Sequence, residues 1–306
     1  MIVIIGSEEE THAKYIADKL NKNGIENIFF DSREYPENLS ISYSLGDSSF
    51  DSFLTIKNKK IKLSEIKGVY WRWFYGVKQQ FFENTDSKVT NIVHRECKSA
   101  LESLFYISQN TNCNWLNSIE AINLHKTKAY QLDILSKNNI RIPKTLITNN
   151  TEAVSEFYFS NDKKVIYKPV LGGAYTKQLT EEDFNEEKKE ALKYSPIQLQ
   201  EYIEGVDIRV YVVGEKIFAG KIEAQTIDFR EDSDAQITPV ELPQNIQADC
   251  LKTIKALKLR YSGVDIRLTP EGEYVFIEAN PAPMFIHFER VTGYPISDTL
   301  MQELIK

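Results

Sequence analysis

The segment Tyr261 to Pro281, YSGVDIRLTPEGEYVFIEANP, constrains the fold more than any other stretch of the chain. Tyr261–Leu268 and Tyr274–Ala279 read as strands, being rich in β-branched and aromatic residues. Pro270-Glu271-Gly272-Glu273 joins them; Pro presets φ and Gly relieves crowding, so the strands pair antiparallel. Side chains alternate faces along a strand, so Glu278 and Asn280 point the same way, and Asp265 on the partner strand joins them. Two carboxylates and an amide oxygen are hard ligands suited to Mg²⁺, an ion that bridges protein carboxylates to phosphates.

Basic residues precede this segment. Lys128 opens a helix. Lys168 ends the run Val-Ile-Tyr-Lys and is followed by Pro169 and a loop containing Gly172 and Gly173. A lysine at a strand end beside a glycine loop reaches phosphate oxygens while the loop N–H groups cover them. Gln200-Glu201-Tyr202-Ile203 reads as a strand end whose extended backbone suits an adenine edge, with Asp207 placed for ribose hydroxyls.

The remaining chain is mixed. Ile2–Ile5, a helix over 11–23 and a strand over 27–31 suggest a small doubly wound sheet. Residues 41–63, with Lys57, Lys59, Lys60 and Lys62, read as a solvated hairpin, and Gly68–Phe74 as a further strand. Val93, Cys97, Ala100, Leu104 and Ile107 form one helical stripe, and Trp115-Leu116 a short closing strand. Helices are expected near 129–135, from 151, over 246–257 and from 297; strands at 144–148, 165–168, 197–203, 208–213 and 217–222. The resulting class is α+β, with expected domains 1–118, 119–195 and 196–306.

Composition narrows the functions. The net charge of −7 disfavours nucleic-acid and membrane-surface binding, which call for a basic face. Cys97, Cys113 and Cys250 are odd in number and form no CxxC pair, against a disulfide scaffold or thiolate zinc site. No apolar run approaches the ~20 residues of a membrane span. The N-terminus lacks a signal-peptide pattern, so a cytoplasmic protein is expected.

Taken together, Lys128, Lys168 before the glycine loop, the QEYI hinge, Asp207 and the Asp265…Glu278-x-Asn280 cluster resemble the ATP-grasp superfamily of carboxylate ligases. Within it, VDIRLTPEGEYVFIEANP, FERVTGYPIS and IRIPKTLITNN resemble the graspetide ligases, which include the microviridin ligases. The resemblance implies an ATP-grasp fold with an N-terminal α/β pre-ATP-grasp domain. It also implies ATP and Mg²⁺ as cofactors, and activation of a carboxylate as an acyl phosphate. The implied substrate is a ribosomal precursor peptide with a leader and an acidic core, its Asp or Glu side chains joined to Ser/Thr hydroxyls or Lys amines. Homodimers recur among such enzymes. Arg267, on the same face as Asp265, and Arg230 are the candidates for stabilising the transferring group or the oxyanion; each has a structural ion pair as its alternative. Arg72 and Arg209 are weaker candidates for an acidic peptide. Two other readings are a ligase adding free amino acids to a peptide, protein or small carboxylate, and an inactive nucleotide-binding regulator.

Overall fold

The parallel strands β1 (Ile2–Ile5) and β2 (Asn27–Phe30) flank helix α1 (Thr11–Lys22), as the β-branched run and the apolar stripe Ala13, Ile16, Ala17 and Leu20 require. The computed structural model describes residues 1–46, 51–77, 87–171, 175–226, 232 and 234–306. Strands β3 (Leu39–Ser42), β4 (Phe53–Ile56) and β5 (Lys59–Lys62) form a separate antiparallel sheet. The expected hairpin over 41–63 is its β4–β5 part, turned at Lys57-Asn58, where both residues have positive φ as a tight two-residue hairpin needs. Strand β6 (Gly68–Trp71), helix α2 (Ser87–Gln109) and β7 (Asn114–Trp115) complete the parallel sheet, ordered β2-β1-β6-β7. Val3, Ile5, Phe30, Val69, Leu104, Phe105 and Trp115 pack in its core.

These elements belong to the first of two compact units, made of Met1–Ile119, Met284–Glu289 and Pro295–Lys306; the second comprises Glu120–Pro283 and Arg290–Tyr294. The second unit contains two sheets, and the first of them takes in Ile197–Glu201, beyond the boundary expected at 195. Helices α3 (Ile119–His125) and α4 (Lys128–Lys137) precede β8 (Thr145–Thr148), α5 (Thr151–Ser160), β9 (Val165–Pro169), β10 (Lys177–Gln178), α6 (Glu186–Tyr194) and β11 (Ile197–Glu201). The sheet order is β10-β9-β11-β8, all antiparallel, and Val154, Tyr158, Val165, Leu192 and Leu199 form its core.

The second sheet of this unit contains β12 (Val206–Val213), β13 (Lys216–Glu223), β14 (Gln236–Val240), β15 (Tyr261–Leu268) and β16 (Tyr274–Asn280), in the antiparallel order β14-β13-β12-β15-β16. Helix α7 (Gln244–Ala256) covers one face through Ile246, Cys250 and Ile254, against Ile208, Val210, Val264, Ile266, Phe276 and Ala279. Gly205, just before β12, has φ +141°, and an added Cβ would lie 2.0 Å from the Leu268 carbonyl oxygen; only glycine admits this approach. The chain ends in α8 (Ile286–Thr292) and α9 (Ile296–Leu304), and α9 packs on α1 and β6. Helix α3, strands β10 and β14 and helix α8 were not expected from the sequence pattern.

Phe285 returns to the first unit beside His12. The His12 ring lies edge-on to Phe285 at 5.0 Å, and the Phe285 N–H donates to His12 Nδ1 at 3.4 Å. Burial, then the nearby Arg72, lowers the His12 pKa to about 4, against the pull of Glu10. The unfolded chain, with an imidazole pKa near 6.5, therefore binds more protons than the folded one between those values. Stability due to His12 is present above pH 6.5 and is lost as pH falls toward 4. In urea denaturation, the advantage of wild type over His12→Gln should shrink across this window, because only wild type carries the imidazole. An advantage independent of pH from 7 to 4 would contradict the assignment.

Candidate functional site

One face of the five-stranded sheet is apolar and the other is charged. Ile208, Val210 and Val212 on β12, with Val264 and Ile266 on β15, point into the α7 core. Alternation then sends Asp207 and Arg209, and Asp265 and Arg267, to the opposite face. The register sets Asp207 opposite Arg267 and Arg209 opposite Asp265, so each cross-strand pair unites opposite charges. Arg267 Nη1 donates to Asp207 Oδ2 at 2.7 Å, and Arg209 Nη1 lies 2.7 Å from Asp265 Oδ1. These four side chains are 13–24% exposed.

Strand β16 adds Glu278 and Asn280 to the same face, but not by simple alternation. Phe276 and Ala279 both face the core, three residues apart, because the register shifts between Asp265 and Ile266. Phe276 pairs with Ile266 and Glu278 with Asp265, leaving Ile277 as the extra residue of a β-bulge. The bulge places Glu278 directly opposite Asp265, and Asn280 opposite Gly263. Asn280 Oδ1 accepts the Ala282 N–H at 3.0 Å, leaving a second lone pair on that oxygen.

Lys128, at the start of α4, donates to Glu278 Oε2 at 2.7 Å. Burial alone would push the Glu278 carboxyl up. The ion pair and hydrogen bond from Lys128, with Lys168 and His125 contributing, outweigh burial and hold it at about 2. Lys168 on β9 stands opposite Gln198 of β11, so helix α4 and the sheet that holds β9 bring Lys128 and Lys168 to one carboxylate. Burial, with Lys128 beside it, keeps His125 below its usual range, against Glu278 and a hydrogen bond to the Ala279 backbone.

The hinge residues divide their tasks. Gln200 is 1% exposed and its Nε2 donates to Thr145 Oγ1 at 2.9 Å; its Oε1 has no hydrogen-bond partner among the described residues. Glu201 Oε1 accepts from Arg141 Nη2 at 2.9 Å and from the Lys144 N–H at 2.8 Å, so its carboxylate braces β8. The Tyr202 N–H donates to the Lys164 carbonyl, and the Ile203 carbonyl accepts from Arg267 Nε at 3.1 Å. Arg267 and Asp207, expected in separate roles, are partners in one ion pair.

Arg72 differs from its expectation. It belongs to the first unit, is 3% exposed, and its Nε lies 3.1 Å from Glu10 Oε2. That oxygen also accepts the Ala13 N–H at 2.6 Å as the cap of α1, so Arg72 braces a helix start instead of meeting a peptide at the surface. Arg209, the other candidate for peptide contact, is the cation beside Asp265. Gly172, Gly173 and Arg230 lie outside the described residues. Sequence reasoning missed His125, Gln131 and Arg141. For Gln131 the available signal was its position three residues after Lys128, on the same face of one helix.

The donor set fits a hard divalent cation bridging to phosphate: two opposed carboxylates and an amide oxygen on one sheet face, with lysine cations adjacent. Among the described residues no group of three or more His, Cys, Asp or Glu side chains is arranged for a metal, so such an ion would need the Asn280 oxygen or ligand oxygens.

The paired sheets and this charged face define an ATP-grasp ligase. The RimK-like ATP-grasp domain family matches residues 125–304, and the MvdD pre-ATP grasp domain family matches residues 1–123; the chain belongs to the RimK-like ATP-grasp family. Among solved structures, it is similar to the ATP-grasp ligase PsnB complexed with minimal precursor, Mg and ADP. The identity is 29% and the TM-score 0.84, covering 99% of this chain and 96% of that one. It is also similar to a RiPP-associated ATP-grasp ligase of Chryseobacterium gregarium in complex with ADP and a leader and core peptide. Here the identity is 27% and the TM-score 0.85, with 99% and 96% covered. The alpha-aminoadipate–LysW ligase LysX of Sulfurisphaera tokodaii is 24% identical over 254 residues, 77% of this chain and 87% of that protein.

Removing Lys128 isolates Glu278 from its nearest cation. Lys128→Met, which keeps the apolar stem, should lower stability by about 2 kcal/mol. That is less than the 3–5 of fully buried pairs, because both side chains retain solvent contact and Lys168 remains. Adding Glu278→Gln should restore part of the loss in a double-mutant cycle read by urea denaturation. Strict additivity of the two substitutions would show that the pair is not coupled.

Proposed function

We propose that this ATP-grasp ligase modifies a ribosomal precursor peptide that carries a leader and an acidic core. It activates Asp or Glu side chains of the core and joins them to Ser/Thr hydroxyls or Lys amines, closing rings. The observation that carries the reading is the extent of the likeness. PsnB and the Chryseobacterium ligase, both described with peptide substrates, align with 99% of the chain, and the MvdD pre-ATP grasp family covers its first 123 residues.

A side-chain carboxylate is a poor acyl donor. Transfer of the ATP γ-phosphoryl group to its oxygen gives an acyl phosphate and ADP. A hydroxyl or amine then attacks the acyl carbon, loses its proton and expels phosphate. Catalysis of this kind consists mainly of positioning and neutralising phosphate charge. In this reading Lys128 and Lys168 neutralise phosphate oxygens, and the N–H groups at Gly172 and Gly173 cover them. The Gln200–Ile203 segment receives the adenine and Asp207 the ribose. Asp265, Glu278 and Asn280 hold Mg²⁺, which supplies charge neutralisation at the phosphates. Arg267 and Arg230 face the transferring group or oxyanion, and Arg209 holds Asp265 in place. The depressed pKa of Glu278 supports its part, since a metal ligand must be ionised.

The test is incubation of enzyme and MgATP with a candidate precursor peptide that has a leader and a core containing Asp or Glu with Ser, Thr or Lys. Peptide lighter by one water per link is expected, since joining a carboxyl to a hydroxyl or amine removes one. Mild alkali restores the mass of an ester and leaves an amide. A peptide that instead gains the mass of added amino acids would overturn this reading. It would favour attachment of free amino acids, to which the likeness to LysX and to alpha-L-glutamate ligases points. Glu278→Gln should abolish turnover of the folded protein at limiting Mg²⁺; turnover like that of wild type would remove Glu278 from the metal site.

A further inference from the structure

The strand that carries Glu278 and Asn280 lies at the edge of its sheet. In the order β14-β13-β12-β15-β16, β16 has a neighbouring strand on one side only among the described residues. An edge strand leaves a row of N–H and C=O groups without strand partners, and a bulge loosens the ladder further. Here both features fall beside Glu278 and Asn280. The bulge at Ile277 immediately precedes Glu278, so the β15 ladder by itself holds the strand end loosely.

The open edge of β16 is closed by α4 and the loop after it. The Phe276 N–H donates to the Arg141 carbonyl at 2.8 Å. The Ala279 N–H donates to Gln131 Oε1 at 2.9 Å, and Gln131 Nε2 donates back to the Ala279 carbonyl at 2.9 Å. Gln131 is 2% exposed, and both bonds are buried. A single side-chain amide thus exchanges the two hydrogen bonds that a residue of a neighbouring strand would exchange. Ala279 is the residue between Glu278 and Asn280, and its methyl is fully buried in the α7 core. Its backbone N–H and C=O are therefore held by Gln131 and its side chain by the core, while its two neighbours face the charged side.

Gln131 is also one turn beyond Lys128 on α4. The same helix supplies the ammonium on the Glu278 carboxylate and the amide on the next peptide unit. Among uncharged side chains, glutamine has the donor, acceptor and length for both bonds; asparagine is one methylene shorter and methionine lacks both groups.

We propose that Gln131 is a positioning residue for the metal–nucleotide site, its amide completing the open edge of β16 and so fixing Glu278 opposite Asp265 and Asn280 on the same face. The inference rests on the reading that these three residues hold Mg²⁺. It predicts a loss in metal affinity separable from nucleotide affinity. Partners that orient metal ligands from behind change metal affinity by about 10–100-fold when removed.

The test is calorimetric titration of ADP into the full chain, without Mg²⁺ and across a Mg²⁺ series, with thermal unfolding in parallel. In Gln131→Met, ADP affinity without Mg²⁺ should stay within about 2-fold of wild type. The Mg²⁺ concentration that half-maximally strengthens ADP binding should rise about 10-fold or more. Should the methionine variant fail to fold, Gln131→Asn, which keeps an amide but cannot span both bonds, decides by the same criteria. A folded variant with an unchanged Mg²⁺ requirement, beside a raised requirement in Glu278→Gln, overturns the positioning role and leaves the metal site standing. Equal loss of ADP affinity with and without Mg²⁺ also overturns it, since that is the mark of general destabilisation. An unchanged Mg²⁺ requirement in Glu278→Gln overturns the metal reading itself.

Discussion

The contact between Lys128 and Glu278 is the one on which the rest of the site depends. A half-buried carboxylate is under pressure from desolvation to take up a proton. Lys128, supported by Lys168 and His125, reverses that pressure. Such a pair adds little net stability, because removing both charges from water offsets much of their attraction. What it provides is an ionised oxygen at a defined place, as a cation or phosphate ligand requires.

The surrounding charges follow the same logic. Asp207 with Arg267 and Arg209 with Asp265 form opposite-charge pairs across β12 and β15, so the face is dense in charge yet locally balanced. A polyanionic ligand with its cation can enter such a face by exchanging partners, without first exposing bare charge. The reverse face of the same strands is the α7 core, which holds the backbone rigid beneath the charged side chains. The chain's overall negative charge is compatible with binding a phosphorylated ligand, because Lys128, Lys168, Arg209 and Arg267 are gathered at this face.

Membership in the RimK-like ATP-grasp family accounts for the second unit, and the MvdD pre-ATP grasp match for most of the first. The first unit's parallel sheet shares none of the charged ladder. Its buried polar groups instead serve local ends: Arg72 and Glu10 fix the start of α1, and His12 receives the Phe285 N–H. This division explains why two arginines with similar sequence surroundings differ. Arg72 follows a parallel strand whose end is covered, whereas Arg209 lies within an antiparallel strand with one charged face.

Strand and helix positions were largely legible, because β-branched runs and helical stripes report burial directly, as at Ile2–Ile5 and along α1. Short elements with weak patterns, such as α3, β10 and β14, were not, since tertiary partners and not their own periodicity sustain them. The residue types of the candidate site, Asp265, Glu278, Asn280, Lys128 and Lys168, were also readable, being side-chain identities. That Glu278, Asn280 and Asp265 share one face was expected too; how the strand brings them there was not. Strict alternation from buried Phe276 would turn Glu278 into the core; the bulge at Ile277 returns it to the charged face. A bulge arises from hydrogen bonding between strands, which no single strand encodes. Likewise Gln131 reads as an ordinary polar residue on a helix until the edge of β16 is set beside it. Sequence determined which groups this protein has for its chemistry, because side-chain type is local. Tertiary structure decided how they reach one face and what holds them there, because register and edge closure depend on residues distant along the chain.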